Sequence, residues 1–259
     1  MKLFRSALVL TLIGGLVAFA PAAAHAAETP APGWTVQYDT TFSAADLATT
    51  RILDEPAWKN GEIQRYAPSQ VAPLDGGGMR LRVEKVGDQW MSGAVELRNV
   101  IIRPGSYVTA SVKLPEGQGF WPAFWMWNTA GGRDTSEIDI VEAASPWWHE
   151  AVQSVHGAKK TGLASIVTRM DGSWADEVHD YAVWWERDFV NFYIDGVQVG
   201  RYAGKNIPTA DMFAIFNVAV GGAWPGLPDA TTPSPADMIV QDFTVYTHGA
   251  TRPGVPPVS

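Results

Sequence analysis

An all-β fold, a two-sheet antiparallel β-sandwich with a concave face open to ligand, is what this sequence predicts, and three observations predict it. Short runs that alternate apolar and polar residues recur along the chain, separated by Gly, Pro, Asn and Asp turns. No segment of helical period exceeds about two turns, so there are no helical crossovers to join parallel strands. No internal repeat of fixed spacing divides the chain.

The elements follow in order. Residues 1–26 read as an export signal: Lys2 and Arg5 precede an apolar run, and Ala24-His25-Ala26 supplies small residues for cleavage near Ala26. Pro21 ends the apolar run after about 14 residues, short of the roughly 20 that span a bilayer. A secreted protein, extracellular or periplasmic, is expected. Residues 27–33 form a Pro-rich linker, 34–248 one catalytic-sized domain, and 249–259 a tail with Pro and Gly. Met79–Val86 alternates apolar and charged residues after Asp75-Gly-Gly-Gly78, and residues 107–114 do the same after Pro104-Gly105. Further strands are expected at 120–127, 136–142, 151–156, 179–186, 212–220 and 238–246. Asp195-Gly196, between 189–194 and 197–199, fits a type I′ hairpin turn.

Composition narrows the class. The chain has no cysteine, so an exported protein of this size is held by its own core, which 46 % apolar residues can supply. Without Lys2 and Arg5, 17 basic residues face 27 acidic ones, a formal charge of −10. Such a balance opposes nucleic acid and anionic membrane surfaces, and suits a neutral ligand. Twelve tryptophans among 259 residues are enough to serve both a core and a platform for the apolar face of a sugar ring.

The chemistry concentrates in Ser136-Glu-Ile-Asp-Ile-Val-Glu142. Alternation places Glu137 and Asp139 on one strand face and leaves Glu142 with the wrong parity. A β-bulge at Ile140 or Val141 returns Glu142 to their side. The two glutamates then sit about 13 Å apart at Cα. Side chains leaning together reach roughly the 5–5.5 Å of a retaining glycosidase pair. Asp139 fits between them, and three neighbouring carboxylates cannot all ionise freely. A solvated acidic face or a calcium site is the competing reading. The former would mix in Lys, Thr or Ser, the nearest counter-charge being Arg133, and the latter would recruit loop oxygens. Phe120-Trp-Pro-Ala-Phe-Trp-Met-Trp127 puts Trp121, Trp125 and Trp127 on one face and Phe120, Phe124 and Met126 on the other. Both faces need cover, and a ligand suits one.

With these residues in view, the chain resembles glycoside hydrolase family 16, the laminarinase and endo-β-glucanase clan with a concanavalin-like jelly roll. The resemblance runs in order through Asn60-Gly-Glu-Ile-Gln64, Gly119-Phe-Trp-Pro-Ala-Phe-Trp-Met126, Glu137-Ile-Asp-Ile-Val-Glu142, His179-Asp-Tyr-Ala-Val-Trp-Trp185, Tyr193-Ile-Asp-Gly196 and Asn217-Val-Ala-Val-Gly-Gly-Ala-Trp224. The acidic motif is the bulged form of laminarinase-like members. The resemblance implies Glu137 as nucleophile, Asp139 as its helper and Glu142 as acid/base. It also implies cleft roles for Trp121, Trp125, Asn60, Glu62, Trp185, Asn217, Trp224 and His156, while His179 reads as structural. Segments 115–121 and 221–233 look most like members acting on bacterial exopolysaccharides.

Two departures stand out. Where relatives carry a substrate-reaching arginine after Ser92-Gly93, this chain has Ala94, so that role is either vacant or taken by Arg98. The Asp-Glu-Phe segment that helps relatives bind a structural calcium is Asp39-Thr-Thr-Phe42 here, with Asp242 as a remaining ligand. No cofactor and no catalytic metal are expected. The expected partner is a polysaccharide, cut internally with retention, and no oligomeric state is implied. A lectin-like binding protein of the same fold and a transglycosylase are the alternatives.

Overall fold

The computed structural model describes residues 31–58, 60–130, 136–157, 163–254, 256 and 257. The export signal, most of the linker and Arg133 lie outside the described residues. Among those described, the strands form a twelve-stranded and a seven-stranded sheet, packed face to face. This is the predicted sandwich. The one α-helix among them, Ala44–Thr49, is closed at its start by a capping box in which Ser43 and Asp46 satisfy each other's backbone N–H. No described helix is long and apolar enough to cross a membrane.

The smaller sheet carries the chemistry-bearing residues. Its order is Leu163–Arg169, Glu150–His156, Glu137–Glu142, Phe120–Asn128, Met212–Val220, Ala94–Glu96, Arg51–Ile52. Alternation splits the tryptophan strand as its sequence requires. Phe120, Phe124 and Met126 are fully buried between the sheets, while Trp121, Trp125 and Trp127 stay half-buried on the outer, concave face. Phe124 stacks on Phe216 of the next strand with ring centroids 4.4 Å apart and 9° between planes. Each such side chain taken from water contributes about 1.5–3 kcal/mol, so this layer pins the sheet that bears the cleft.

The larger sheet explains one correction. On His179–Trp185, Tyr181, Val183 and Trp185 point into the core, and Trp184 points outwards. Trp185 is fully buried with its indole N–H donating to the Pro208 carbonyl at 2.9 Å. It is therefore a core residue and not part of the cleft. The expected run 238–246 is in fact two strands, Ala236–Val240 and Phe243–His248. Between them Asp242 turns a carboxylate oxygen to the Ser111 amide, 3.3 Å away, filling the gap in the ladder. The Asp195-Gly196 turn has φ of 49° and 72°, the two positive values of a type I′ hairpin.

The outer face of the larger sheet is sealed as well. Trp34, Tyr107, Trp184, Phe189, Tyr193 and Tyr246 form a second buried cluster. The tail pins its edge: Arg252 lies over the Phe189 ring at 4.9 Å and reaches Asp188 at 2.8 Å. His248 meets Glu186 at 2.6 Å, and Pro257 is buried.

Candidate active site

The acidic strand holds the bulge its parity demanded. Trp125 pairs with Asp139 and Phe124 with Val141, so Ile140 is the extra residue against the tryptophan strand. Against the strand on its other side, Asp139 pairs with Ser154 and Glu142 with Val152, two residues facing one. Ile138, Ile140 and Val141 are buried, and Glu137, Asp139 and Glu142 all line one cleft on the concave face.

The three carboxyl groups have different surroundings. Asp139 is 2 % exposed. Burial, then the charge of Glu142, holds its carboxyl well above the usual carboxylate range, against a hydrogen bond with Glu137. Asp139 and Glu137 thus share a hydrogen bond between their carboxyl groups. His156 brings Nε2 to 3.0 Å from the other Asp139 oxygen, off the alignment of a hydrogen bond. Glu142 is pushed up to about 7, first by burial and further by the charge of Glu137. The Trp121 indole, which donates to Glu142 Oε1 at 2.9 Å, and His156 pull the other way. The cleft thus brings together carboxyl groups whose surroundings differ, an arrangement suited to acid–base chemistry. Glu137, Asp139 and His156 bring three potential ligand atoms within 4.8 Å of one another.

The cleft continues over the tryptophan strand towards residues 58–64. Asn60 Nδ2 donates to Glu62 Oε1 at 3.0 Å and Gln64 Nε2 to Glu62 Oε2 at 2.8 Å, holding the Glu62 carboxylate at the rim. The Trp125 indole donates to Asn217 Oδ1 at 2.8 Å, and Asn217 Nδ2 donates to the buried Tyr66 hydroxyl at 3.1 Å. Trp125 is therefore fixed as a half-open platform, with Trp58 packed edge-on at 5.7 Å.

Of the eleven residues singled out from sequence, eight line this cleft: Glu137, Asp139, Glu142, Trp121, Trp125, Asn60, Glu62 and Asn217. His156, paired with Glu137 on the next strand, stands beside Asp139, and Trp224 packs edge-on against Trp121 at 5.4 Å. Trp185 is elsewhere, in the core. Arg98 does not replace the missing arginine, because its guanidinium is held by Glu96 and stacked over Phe213 at 4.6 Å. Ala94 is buried with Leu53 and Tyr66. Sequence reasoning missed Trp58 and Tyr66; their place two residues on either side of Asn60-Gly-Glu-Ile-Gln64 was the available clue.

Comparison with known proteins places this geometry. A glucan endo-1,3-beta-glucosidase A1 from Niallia circulans is 29 % identical over 244 residues, covering 75 % of this chain and 34 % of that one. A beta-glucanase from Rhodothermus marinus is 26 % identical over 250 residues, covering 83 % and 86 %. The chain spans about a third of the length of several curated relatives that it matches. Among solved structures, the endo-beta-1,3-glucanase from Pyrococcus furiosus superposes with a TM-score of 0.76 at 25 % identity, covering 84 % of this chain and 96 % of that one. Residues 70–241, from before the first long strand to the end of the last ladder but one, match the family described as Glycosyl hydrolases family 16, and the chain belongs to it.

Proposed function

We propose that the protein is a secreted, endo-acting, retaining β-glycoside hydrolase whose substrate is a neutral β-glucan. The observation that carries this reading is the bulge, which sets a carboxyl poised near 7 on the same face as Glu137 and Asp139. Glu137 attacks the anomeric carbon while the glycosidic C–O bond breaks, its electron pair going to the departing oxygen. Glu142 gives that oxygen a proton. The resulting glycosyl-enzyme ester is opened by water, from which Glu142 now removes a proton, restoring both carboxyl groups. Asp139, protonated between them, steadies Glu137 through the change in charge.

Support for the substrate comes from the cleft. Glu62, Glu137, Asp139 and Glu142 line it, and no described cation does, so an uncharged chain meets no repulsion there. The relatives named above are β-glucanases. The wall formed by 115–121 and 221–233 keeps bacterial exopolysaccharides as the second class to assay. Export follows from residues 1–26, and N-terminal sequencing of the exported protein should begin near Ala27.

The decisive experiment sizes the products from β-1,3-, mixed-linkage and β-1,4-glucans and exopolysaccharides, and reads the first-formed anomer by NMR. It is paired with Glu142→Ala on an aryl β-glycoside with an acidic phenol. That leaving group departs without an acid, so the glycosyl-enzyme forms, and azide, needing no base, should release a β-glycosyl azide. Loss of activity on activated and natural substrates alike, with no azide rescue, would remove Glu142 from the acid/base role. Binding without cleavage of every polymer would favour a lectin-like protein.

A further inference from the structure

We infer that Trp121 is a positioning residue: its indole N–H fixes which oxygen of Glu142 carries the transferable proton. This inference rests on the reading of Glu142 as the acid/base. The indole nitrogen is a donor only. Because Trp121 Nε1 donates to Glu142 Oε1 at 2.9 Å, that oxygen presents a lone pair to the indole; the carbonyl oxygen of a carboxylic acid is a better acceptor than its hydroxyl oxygen, so a protonated Glu142 favours its hydrogen on Oε2. As the glycosidic bond breaks, the Oε2–H bond breaks and an O–H bond forms on the departing sugar. Oε1 stays anchored throughout.

The anchor is itself held. Trp121 is paired through its backbone with Ala219 of the next strand, and its ring meets the edge of Trp224 at 5.4 Å and 82°. Trp224 belongs to the wall 221–233, which is tied down by distant residues. Gln118 Nε2 donates to the carbonyls of Pro225 at 3.1 Å and Leu227 at 3.0 Å, and Ser145 Oγ donates to the Pro225 carbonyl at 2.7 Å. A side chain at Gly119 would place its Cβ 2.5 Å from the Pro228 nitrogen, so wall and strand start are in closest contact there. The titratable groups around Glu142 are Glu137 and Asp139 on its own strand, His156 on the next and Glu62 along the cleft. None of them is a donor-only group bonded to Oε1. Trp121 thus does more than offer a flat surface to sugar.

Two proteins test this: Trp121→Phe, and one with benzothienylalanine at position 121, which keeps the indole outline with sulfur in place of N–H. An indole N–H stabilises the charged carboxylate, so its loss should move the alkaline limb of kcat/KM to higher pH in both. Turnover of β-1,3-glucan should fall about tenfold, the scale of a lost hydrogen bond to a charged group, with KM unchanged in the benzothienylalanine protein. Phenol release from an activated aryl glycoside, read as kcat/KM, should be spared. If Trp121 only stacks sugar, KM rises and the limb stays where it is in the wild type; a limb unmoved in the benzothienylalanine protein overturns the inference. Glu142→Ala assayed alongside separates the two readings. Azide rescue with an unmoved limb overturns the role of Trp121 alone, and absence of rescue overturns the acid/base role beneath it.

Discussion

The sandwich carries an aromatic cluster on each outer face, and the two are treated oppositely. On the larger sheet, Trp34, Trp184, Tyr107, Phe189, Tyr193 and Tyr246 are between 1 % and 7 % exposed. The carboxylate in their midst, Glu186, accepts from the Trp184 indole at 2.9 Å and also meets His248 and Arg252. On the smaller sheet, Trp58, Trp121, Trp125, Trp127 and Trp224 remain half-buried. There the carboxylate that accepts from an indole, Glu142, has two further carboxyl groups for neighbours. The same donor and acceptor thus make a closed joint on one face and, on the other, a carboxyl that lines the cleft. What differs is the company of cations and the lid of chain over the rings, not the number of tryptophans.

The largest effects should fall on one face only. Glu137→Gln should lower turnover on the order of 10⁴-fold whatever the leaving group, as expected for loss of a nucleophile that acts as part of a unit. Glu186→Gln should leave turnover unchanged and lower the melting temperature. Loss of activity in Glu186→Gln at a temperature where it is folded would break the contrast.

Next comes Trp184→Ala, which empties a buried site and should cost about 3–5 kcal/mol of stability, read by denaturant titration, with kcat/KM intact. Its counterpart Trp125→Ala should weaken binding of a β-glucan oligosaccharide to the Glu137→Gln protein by about 1 kcal/mol, read by calorimetry, since an aromatic contact is worth that much beyond area. Equal affinity with and without Trp125 would make it a core residue that happens to face the cleft.

The smallest effect is a matter of sign. The carboxyl of Glu142 lies at about 7 when folded against an ordinary 4.5, so the folded state holds its proton more tightly. Its contribution to stability is present below about pH 4.5 and is lost as pH rises towards 7, with Asp139 acting in the same direction. Glu142→Gln should therefore raise the melting temperature at pH 8 relative to wild type, and much less at pH 4. A difference independent of pH would show that burial does not strain this carboxyl.

The contrast also marks what sequence could disclose. The acidic strand was legible because Ile138 and Ile140 fix its buried face, and the mismatch of Glu142 left a bulge as the remedy. The tryptophan strand was legible because Phe and Met stood opposite Trp. On His179–Trp185 the strand itself was legible, but both of its faces are covered, so its pattern does not tell the core face from a cleft face, and the cleft role of Trp185 rested on the resemblance alone. Trp58 reaches the cleft from a loop, with Tyr66 of a short strand buried beneath it, and in neither segment does periodicity speak for direction. The Arg252 tail was opaque for a similar reason: its anchors, Glu186 and Asp188, are more than sixty residues away in the chain.

The extra residue at Ile140 bears on how relatives of this chain can differ in length. Removing it would abolish the bulge and leave Glu137, Asp139 and the present Glu142 at alternate positions of a regular strand, on one face by simple alternation. A motif one residue shorter therefore describes the same arrangement of carboxyl groups. Alignments that score the missing residue as a lost catalytic position would divide chains whose chemistry is shared, whereas parity, counted with bulges, keeps them together.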